Sequence, residues 1–315
     1  MKNSAGFLKY GLALLLSACG WQKSLDPKAL DQLYAVPLSA PEQPLRVFHL
    51  GHSLVNRDMP MMLEQLAGPG HDHRSQIGWG TPLKAHWEPD VAINGFEAEN
   101  AHPRFQDARQ AVDSGRFDAV VLTEAVEIKD SIKYQDSAKY LRLWTQAARK
   151  ANPQVRVYLY ETWHRLDDPA GWLERLADDR VRHWEGVLLA QALAHGDTGG
   201  PIHVIPAGQV LGRFAREVES RGGVGAVRSR DDLFALDDKG ARDTIHLSAL
   251  GNFLVAMTHY AVLYHRAPPV EPSEIRLADG TPLQNLTPEL ARLMSDVVWA
   301  VVTQDPKTGV RQPSG

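Results

Sequence analysis

Thiol groups are almost absent from this chain. Its 315 residues include a single cysteine, Cys19. A chain without a second cysteine forms no internal disulfide. Its fold therefore does not depend on disulfides, even in an oxidising compartment where they could form.

Excess positive charge is also absent. The formal net charge is −4, and it falls to −6 if Lys2 and Lys9 leave with an export signal. Nucleic-acid-binding proteins carry a basic stripe and a high pI, so this balance argues against a nucleic-acid partner. The sequence contains no internal repeat, heptad run or low-complexity block. Its length and 43% hydrophobic content suffice for one large core or two small ones.

A long apolar run is missing as well. Leu12–Leu16 follows Lys2 and Lys9, but it is too short for a membrane span of ~20 apolar residues and is typical of an export signal. The next residues, Leu16–Cys19, resemble a bacterial lipobox. This resemblance implies a signal peptide over residues 1–18 and a lipid on Cys19, although a buried structural cysteine is the alternative.

A lipid on Cys19 would place the protein in the bacterial cell envelope, with the membrane as a partner. Gly20 follows the cysteine, whereas an aspartate there would favour inner-membrane retention by analogy with enteric lipoproteins. We therefore expect the outer membrane, facing the periplasm. Residues 19–44 are rich in proline and are predicted to be a lipidated tether.

Apolar runs alternate with helical patterns from Leu45 to about Arg266. Tyr140, Trp144, Ala147 and Ala151, for example, share one face of a helix predicted over Ser137–Ala151. Strands that alternate with helices indicate a parallel α/β sheet, in which ligands bind beyond the carboxyl ends of the strands. The predicted strands are Val47–Leu50, Gln76–Gly78, Ala119–Thr123, Val155–Tyr160 and Ile202–Ile205.

Ser53 follows the first predicted strand, and Asp243 and His246 precede an apolar helix near the other end of the chain. A serine becomes a good nucleophile when a base can take its proton. His246 could be that base, and Asp243 could orient its ring from a loop that enters the helix. A capping aspartate and a surface histidine are the alternative for that pair alone.

The chain resembles the SGNH/GDSL hydrolase superfamily from about Arg46 to Arg266. Gly51, Ser53 and Leu54 match the first sequence block of that family, with His52 where it has Asp or Asn, and Asp243–Ser248 matches the last block. The resemblance implies a three-layer α/β/α, flavodoxin-like domain over residues 45–266 with a mainly parallel sheet of about five strands. Residues 267–315 are then an extension, with one amphipathic helix from about Pro288 to Val302 that packs on the domain.

The oxyanion hole that the resemblance implies is incomplete. Ile77–Leu83 resembles the second block, so the backbone N–H groups of Ser53 and Gly80, with Gly78 as the second choice, are the candidate donors. The family's third block supplies an Asn, but this chain has Thr123-Glu124 instead. Thr123, or a protonated Glu124, could replace that donor or contact the substrate.

Two tryptophans, Trp79 and Trp163, lie near predicted carboxyl ends of strands and could stack on sugars, although core packing is the alternative for each. His71-Asp72-His73 lacks a third ligand at a recognisable spacing, so we expect a solvated loop there and neither a metal nor a cofactor.

We expect a serine esterase of the SGNH type that removes a short acyl group, such as O-acetyl, from a carbohydrate or related ester. An SGNH-type O-acyltransferase acting on a polysaccharide is one alternative. A non-catalytic polysaccharide-binding or assembly lipoprotein is the other. The sequence leaves the acyl carrier and the oligomeric state open.

Overall fold

The computed structural model describes residues 23–271 and 274–311. Its centre is a five-stranded sheet in the order β2-β1-β3-β4-β5, with every neighbouring pair parallel. Side chains in these strands are almost all buried, as expected for a parallel sheet covered on both faces. The strands are β1 (Arg46–His52), β2 (Asp72–Gly78), β3 (Ala119–Leu122), β4 (Arg156–Glu161) and β5 (His203–Pro206).

Helices connect and flank these strands. The chain from Trp172 to Leu193 is helical throughout, and its centre is a π-helix over Arg180–Leu189. The α-helices are α1 (Pro27–Gln32), α2 (Asp58–Ala67), α3 (Leu83–Trp87), α4 (Phe96–Asn100), α5 (Ala108–Asp113), α6 (Ile128–Tyr134), α7 (Ser137–Ala151), α8 (Trp172–Asp179), α9 (Ala190–Leu193), α10 (Ala207–Ser220), α11 (Ala249–Tyr264) and α12 (Pro288–Gln304).

The core has two halves, one on each face of the sheet. Successive side chains of a strand point to opposite faces. Val47 therefore belongs to the half of the core that includes α2, α10, α11 and α12, whereas Phe48 belongs to the half that includes α5, α7 and the π-helix. The three-layer α/β/α, flavodoxin-like fold with a five-stranded parallel sheet is therefore confirmed.

The strand order places β1 at a switch point of the sheet. The chain moves from β1 outward to β2 and then crosses back to β3 on the other side of β1. The connections above β1 therefore diverge, and they leave a crevice at its carboxyl end where α/β proteins bind ligands. Ser53 is the first residue after β1.

The N-terminal segment differs from the expected tether. From residue 23 onward it packs on the domain, and α1 buries Leu30 while Tyr34 donates a hydrogen bond to the Ile202 carbonyl oxygen at 2.7 Å. The prolines do not keep this segment extended, because Pro27 is the first residue of α1, where its missing N–H costs nothing. The predicted signal peptide and the lipidation of Cys19 lie outside the described residues.

The C-terminal extension belongs to the same core. Its helix α12 buries Leu290, Met294 and Val298 against α10 and α11. The chain then returns to the N-terminal segment, where Lys307 Nζ donates to Asp31 Oδ1 at 2.7 Å. Among the described residues, no helix is both long and apolar enough to span a bilayer.

The His71-Asp72-His73 segment is buried at β2 and is not the expected solvated loop. His71 Nδ1 lies 2.7 Å from the Tyr264 hydroxyl, and His73 Nδ1 lies 2.8 Å from Glu64 Oε2. Within residues 23–271 and 274–311, no three His, Cys, Asp or Glu side chains group as metal ligands would.

Candidate active site

A tight turn after β1 presents Ser53. The N–H of Val55 donates to the His52 carbonyl at 2.9 Å, and Asn56, in the left-handed conformation, caps α2 by accepting from the N–H of Asp58 at 2.7 Å. Gly51 is needed before the serine, because a Cβ there would lie 2.3 Å from Thr123 Cγ2. Ser53 therefore stands half-buried between a strand end and a capped helix.

Asp243 and His246 lie on a strand, not on the expected loop. An antiparallel hairpin of β6 (Phe234–Leu236) and β7 (Arg242–Leu247) carries both residues, and Ser248 then caps α11. Asp243 Oδ1 accepts from the N–H groups of Ile245 and His246 at 2.7 and 2.9 Å. These bonds hold the carboxylate over the histidine that it must orient.

The three predicted residues form one chain of hydrogen bonds. The Ser53 hydroxyl donates to His246 Nε2 at 3.0 Å, and His246 Nδ1–H donates to Asp243 Oδ2 at 2.8 Å. Burial acts to raise the pKa of Asp243, but the N–H groups of His246 and Ile245 and the His246 ring outweigh it and hold that pKa below its usual value. Asp243 therefore stays ionised, so it can fix the imidazole tautomer and stabilise the imidazolium.

Trp163 is buried beneath the backbone that carries Asp243 and His246, so it is not exposed for stacking on sugars as expected. Its side chain is only 3% exposed, and its Nε1–H donates to the carbonyl oxygen of Ile245 at 2.7 Å. Ile245 lies between Asp243 and His246, so the indole anchors the backbone that carries both.

Two buried histidines, to which the sequence analysis assigned no role, hold the turn around Ser53. His52 Nε2–H donates to the Glu124 carbonyl at 2.9 Å, and His86 Nε2–H donates to the Gly51 carbonyl at 2.8 Å. Burial lowers the pKa of each ring to about 4, so both are neutral near pH 7. His52 thus ties the end of β1 to the segment after β3.

Gly80, rather than Gly78, reaches the cleft at Ser53. Gly80 lines that cleft, has a left-handed backbone with φ +54°, and has open space where a Cβ would be. Gly78 is buried, and a Cβ on it would lie 2.3 Å from Ile93 Cγ2. Gly78 therefore serves packing, whereas the backbone of Gly80 is accessible to a ligand.

Neither Thr123 nor Glu124 lines that cleft. The Thr123 hydroxyl donates to the Tyr160 carbonyl at 2.8 Å, and the fully buried Glu124 accepts from the N–H of Ala125 at 2.8 Å. Burial raises the pKa of Glu124 to about 7. The expectation that either side chain completes the oxyanion hole or contacts the substrate is therefore not met in this conformation.

The cleft itself, which we call the ester cleft, has a volume of about 390 Å³. Ser53, His246 and Gly80 lie on one side, and Glu127, Arg165 and Asp168 complete its wall. Sequence patterns did not reveal these last three residues, because their loops carry no motif.

A buried guanidinium holds part of that wall. Arg175 donates to Glu127 Oε2 at 2.6 Å and to Asp168 Oδ2 and Asp179 Oδ2, each at 2.5 Å. One cation thus pairs with three carboxylates that come from three different segments of the chain.

Trp79 is different from Trp163, since its side chain is 54% exposed. The indole Nε1–H donates to Glu99 Oε1 at 2.6 Å, and one part of the ring packs on Gly95, where a Cβ would lie 2.3 Å from Cδ2. The ring is therefore fixed in place while much of it stays open to solvent.

The fold of the domain is similar to that of proteins whose structures have been solved. A DUF4886 family protein from Bacteroides uniformis is similar with a TM-score of 0.51 and 15% identity, over 82% of this chain and 95% of that chain. This likeness shows a shared fold.

Two other solved structures are similar at lower scores. A protein described as a GDSL-like lipase from Parabacteroides merdae has a TM-score of 0.42 and 11% identity, over 73% of this chain and 99% of that one. A carbohydrate esterase family 3 structure from Talaromyces cellulolyticus has a TM-score of 0.35 and 15% identity, over 70% of this chain and 97% of that one. No family model matches the chain, and no curated protein matches it in sequence.

Proposed function

We propose that this protein is a serine esterase of the SGNH type that removes a short acyl group, such as O-acetyl, from a carbohydrate. The observation that carries the proposal is the unbroken path of hydrogen bonds from Ser53 through His246 to Asp243, at the switch point of the sheet. A capping aspartate beside a surface histidine has no reason to meet a serine 193 residues away in the chain.

The geometry supports a two-step acyl transfer. Ser53 Oγ attacks the ester carbonyl carbon while His246 Nε2 takes the hydroxyl proton, and a tetrahedral oxyanion forms. The carbon–oxygen bond to the sugar then breaks, and His246 returns the proton to the leaving sugar hydroxyl. Water repeats the sequence on the acyl-enzyme, releases the carboxylic acid and restores Ser53.

Backbone N–H groups are the donors that this proposal assigns to the oxyanion. Ser53 and Gly80 line the same cleft, and the bare backbone of Gly80 permits a close approach. Loss of one such donor in a serine protease costs roughly 3–4 kcal/mol, so the absent Asn would slow the enzyme without changing its chemistry.

A fluorophosphonate probe tests the proposal on the full-length chain. We expect the wild type to be labelled on Ser53, and Ser53→Ala and His246→Ala to remain unlabelled. Release of acid from 4-methylumbelliferyl acetate should follow the same order. An unlabelled wild type, or equal labelling of Ser53→Ala, would favour the non-catalytic alternative. Acyl release that depends on an added sugar acceptor would favour the O-acyltransferase.

We also propose that the protein is anchored in the bacterial cell envelope through a lipid on Cys19. Leu25 already contacts the domain through its N–H bond to the Ala190 carbonyl at 3.0 Å. A chain of six residues spans at most ~20 Å, so a lipid on Cys19 would hold the domain close to the membrane surface. Metabolic labelling with an alkyne fatty acid should mark the wild type and not Cys19→Ala, and equal labelling would refute the anchor.

A further inference from the structure

A second and larger cleft lies beside β2, with a volume of about 580 Å³. We call it the side cleft. The start of α2, the segment after α4 and residues 277–279 of the C-terminal extension form its walls, and Asp58 Oδ1 accepts from the N–H of Ala278 at 2.9 Å. The extension thus helps to build a ligand-sized space.

The side cleft adjoins the catalytic serine. The lining of a small cavity of about 140 Å³ includes Ser53, His246, Asn56 and Asp58. Asn56 and Asp58 also line the side cleft, while Ser53 and His246 also line the ester cleft. The three spaces therefore follow one another, with the nucleophile between the two larger ones.

The lining of the side cleft suits hydroxyl groups better than an ion. Its lining includes two basic side chains and three acidic ones, so neither sign of charge dominates strongly; they are Arg57, Arg104, Asp58, Glu99 and Asp279. His102 adds a neutral donor: its Nδ1 accepts from the N–H of Arg104 at 3.2 Å, which leaves the ring proton on Nε2. Burial and the nearby Arg57 lower the pKa of His102, and its Nε2 has no hydrogen-bond partner among residues 23–271 and 274–311.

Trp79 is linked to residues of both larger clefts. Its indole N–H is bound to Glu99, which lines the side cleft, and the next residue, Gly80, lines the ester cleft. An aromatic face held by a hydrogen bond and open to solvent can stack on the C–H face of a sugar ring.

We infer that the side cleft and Trp79 bind sugar residues that flank the one carrying the ester, so that the substrate is an acylated oligo- or polysaccharide rather than a small free ester. The inference rests on the proposed function. Arg57, Asp58 and His102 are assigned to the sugar hydroxyls, which both donate and accept hydrogen bonds, and Trp79 is assigned to stacking.

Dependence of activity on chain length tests this inference. O-acetylated disaccharides and hexasaccharides of xylose, glucosamine and glucose are compared with 4-methylumbelliferyl acetate on the full-length protein. For at least one backbone, kcat/KM should rise from disaccharide to hexasaccharide. Trp79→Ala should lose about tenfold more on that hexasaccharide than on the short ester, the equivalent of ~1.4 kcal/mol of stacking. His102→Ala should show a smaller loss of the same kind.

Tyr134→Ala is the matched control. Tyr134 is an aromatic side chain that is 59% exposed. Unlike Trp79, it does not adjoin in the chain a residue that lines one of these clefts, so both activities should stay at the wild-type level. The inference is wrong if no backbone gives a length dependence, or if Trp79→Ala and Tyr134→Ala behave alike.

The failure of the inference and that of the proposed function can be separated. Ser53-dependent hydrolysis of the short ester without any length dependence would support the esterase proposal and refute the sugar-binding role of the side cleft. If the wild type hydrolyses nothing, calorimetric titration with unacetylated hexasaccharides tests sugar binding directly. Binding that Trp79→Ala weakens would support a sugar-binding role of the side cleft and Trp79, and the absence of binding would refute it.

Discussion

The indole N–H of Trp163 donates to the carbonyl oxygen of Ile245 at 2.7 Å, directly between the two residues that must activate the serine. Trp163 follows β4, whereas Ile245 lies on the β6–β7 hairpin outside the main sheet. This partly buried hydrogen bond and the one from the N–H of Leu166 to the Thr244 carbonyl at 2.7 Å therefore couple the hairpin that carries His246 to the segment after β4.

Loss of this bond should slow catalysis more than it weakens substrate binding. Trp163→Phe removes the N–H and leaves the Ile245 carbonyl unpaired, which costs on the order of 1–3 kcal/mol. We expect kcat on 4-methylumbelliferyl acetate to fall about tenfold with little change in KM. The control is Trp144→Phe, since Trp144 Nε1–H also donates to a buried carbonyl, that of Leu83 at 3.1 Å, away from the triad. Equal kcat losses in the two variants would contradict the positioning role.

Asp243 should matter through its charge and not only through its shape. Asp243→Asn retains the size of the side chain but loses the carboxylate that fixes the tautomer of His246, so kcat should fall by roughly 10³-fold or more. Asp237→Asn changes the same residue type in the turn of the same hairpin, where Asp237 caps the N–H groups of Lys239 and Ala241. That control should keep most of the activity, and full activity of Asp243→Asn would argue against the triad.

Buried neutral histidines should make the fold sensitive to acid. His49 is fully buried on β1, and its ring lies 5.9 Å from that of His259. Burial lowers both pKa values, that of His259 to about 4, whereas an unfolded histidine titrates near 6.5. The unfolded state thus binds more protons than the folded state between these pH values. The contribution of the two neutral rings to the free energy of unfolding is therefore fully present above about pH 6.5 and is lost as the pH falls towards 4.

We expect the free energy of unfolding to drop between pH 7 and pH 5 by on the order of 1–2 kcal/mol for each such histidine. His49→Leu should reduce this drop in urea titrations, and it should not weaken the fold at pH 7, because both ring nitrogens of His49 lack partners among the described residues. Replacing the exposed His195 in the same way should leave the drop unchanged. An unaltered pH dependence in His49→Leu would refute this account.

Arg175 should be essential to the wall of the ester cleft. Arg175→Met leaves Glu127, Asp168 and Asp179 without their common cation, and removal of one partner from a buried ion cluster costs about 3–5 kcal/mol. Urea unfolding at pH 7 measures this loss. Arg213→Met is the control, because Arg213 pairs with Glu217 on the exposed surface of α10 and should contribute less than about 1 kcal/mol. Similar losses in both variants would contradict the prediction.

Local patterning was enough to predict much of the architecture. Four of the five parallel strands could be predicted from short apolar runs, since a strand covered on both faces needs apolar residues at nearly every position. The exception is β2, whose first residues are polar, so only its end at Gln76–Gly78 was predicted. The site before α11 could be found because Asp243, His246 and the capping Ser248 lie within six residues. The pairing of Ser53 with His246 was predicted from the need of a serine nucleophile for a base, because His246 lies on the hairpin outside the parallel sheet.

Other expectations failed where distant contacts decide. The proline-rich segment after residue 22 reads as a tether, but Leu30 and Tyr34 find a pocket on the domain that no local pattern reveals. Trp79 and Trp163 look alike in the sequence, yet one is exposed and the other is buried under Ile245. Thr123 and Glu124 follow β3 as predicted, but their side chains turn away from the ester cleft.

The sequence by itself therefore determined the alternation of strands and helices in the main sheet and the candidate triad of Ser53, His246 and Asp243, because apolar runs and short motifs depend on neighbours along the chain. Only the tertiary structure decided which glycine lines the ester cleft, which tryptophan is exposed, which carboxylates pair with Arg175 and where the side cleft lies. Those properties arise where segments far apart in sequence come together, and the direction of a side chain there depends on every partner that packs around it.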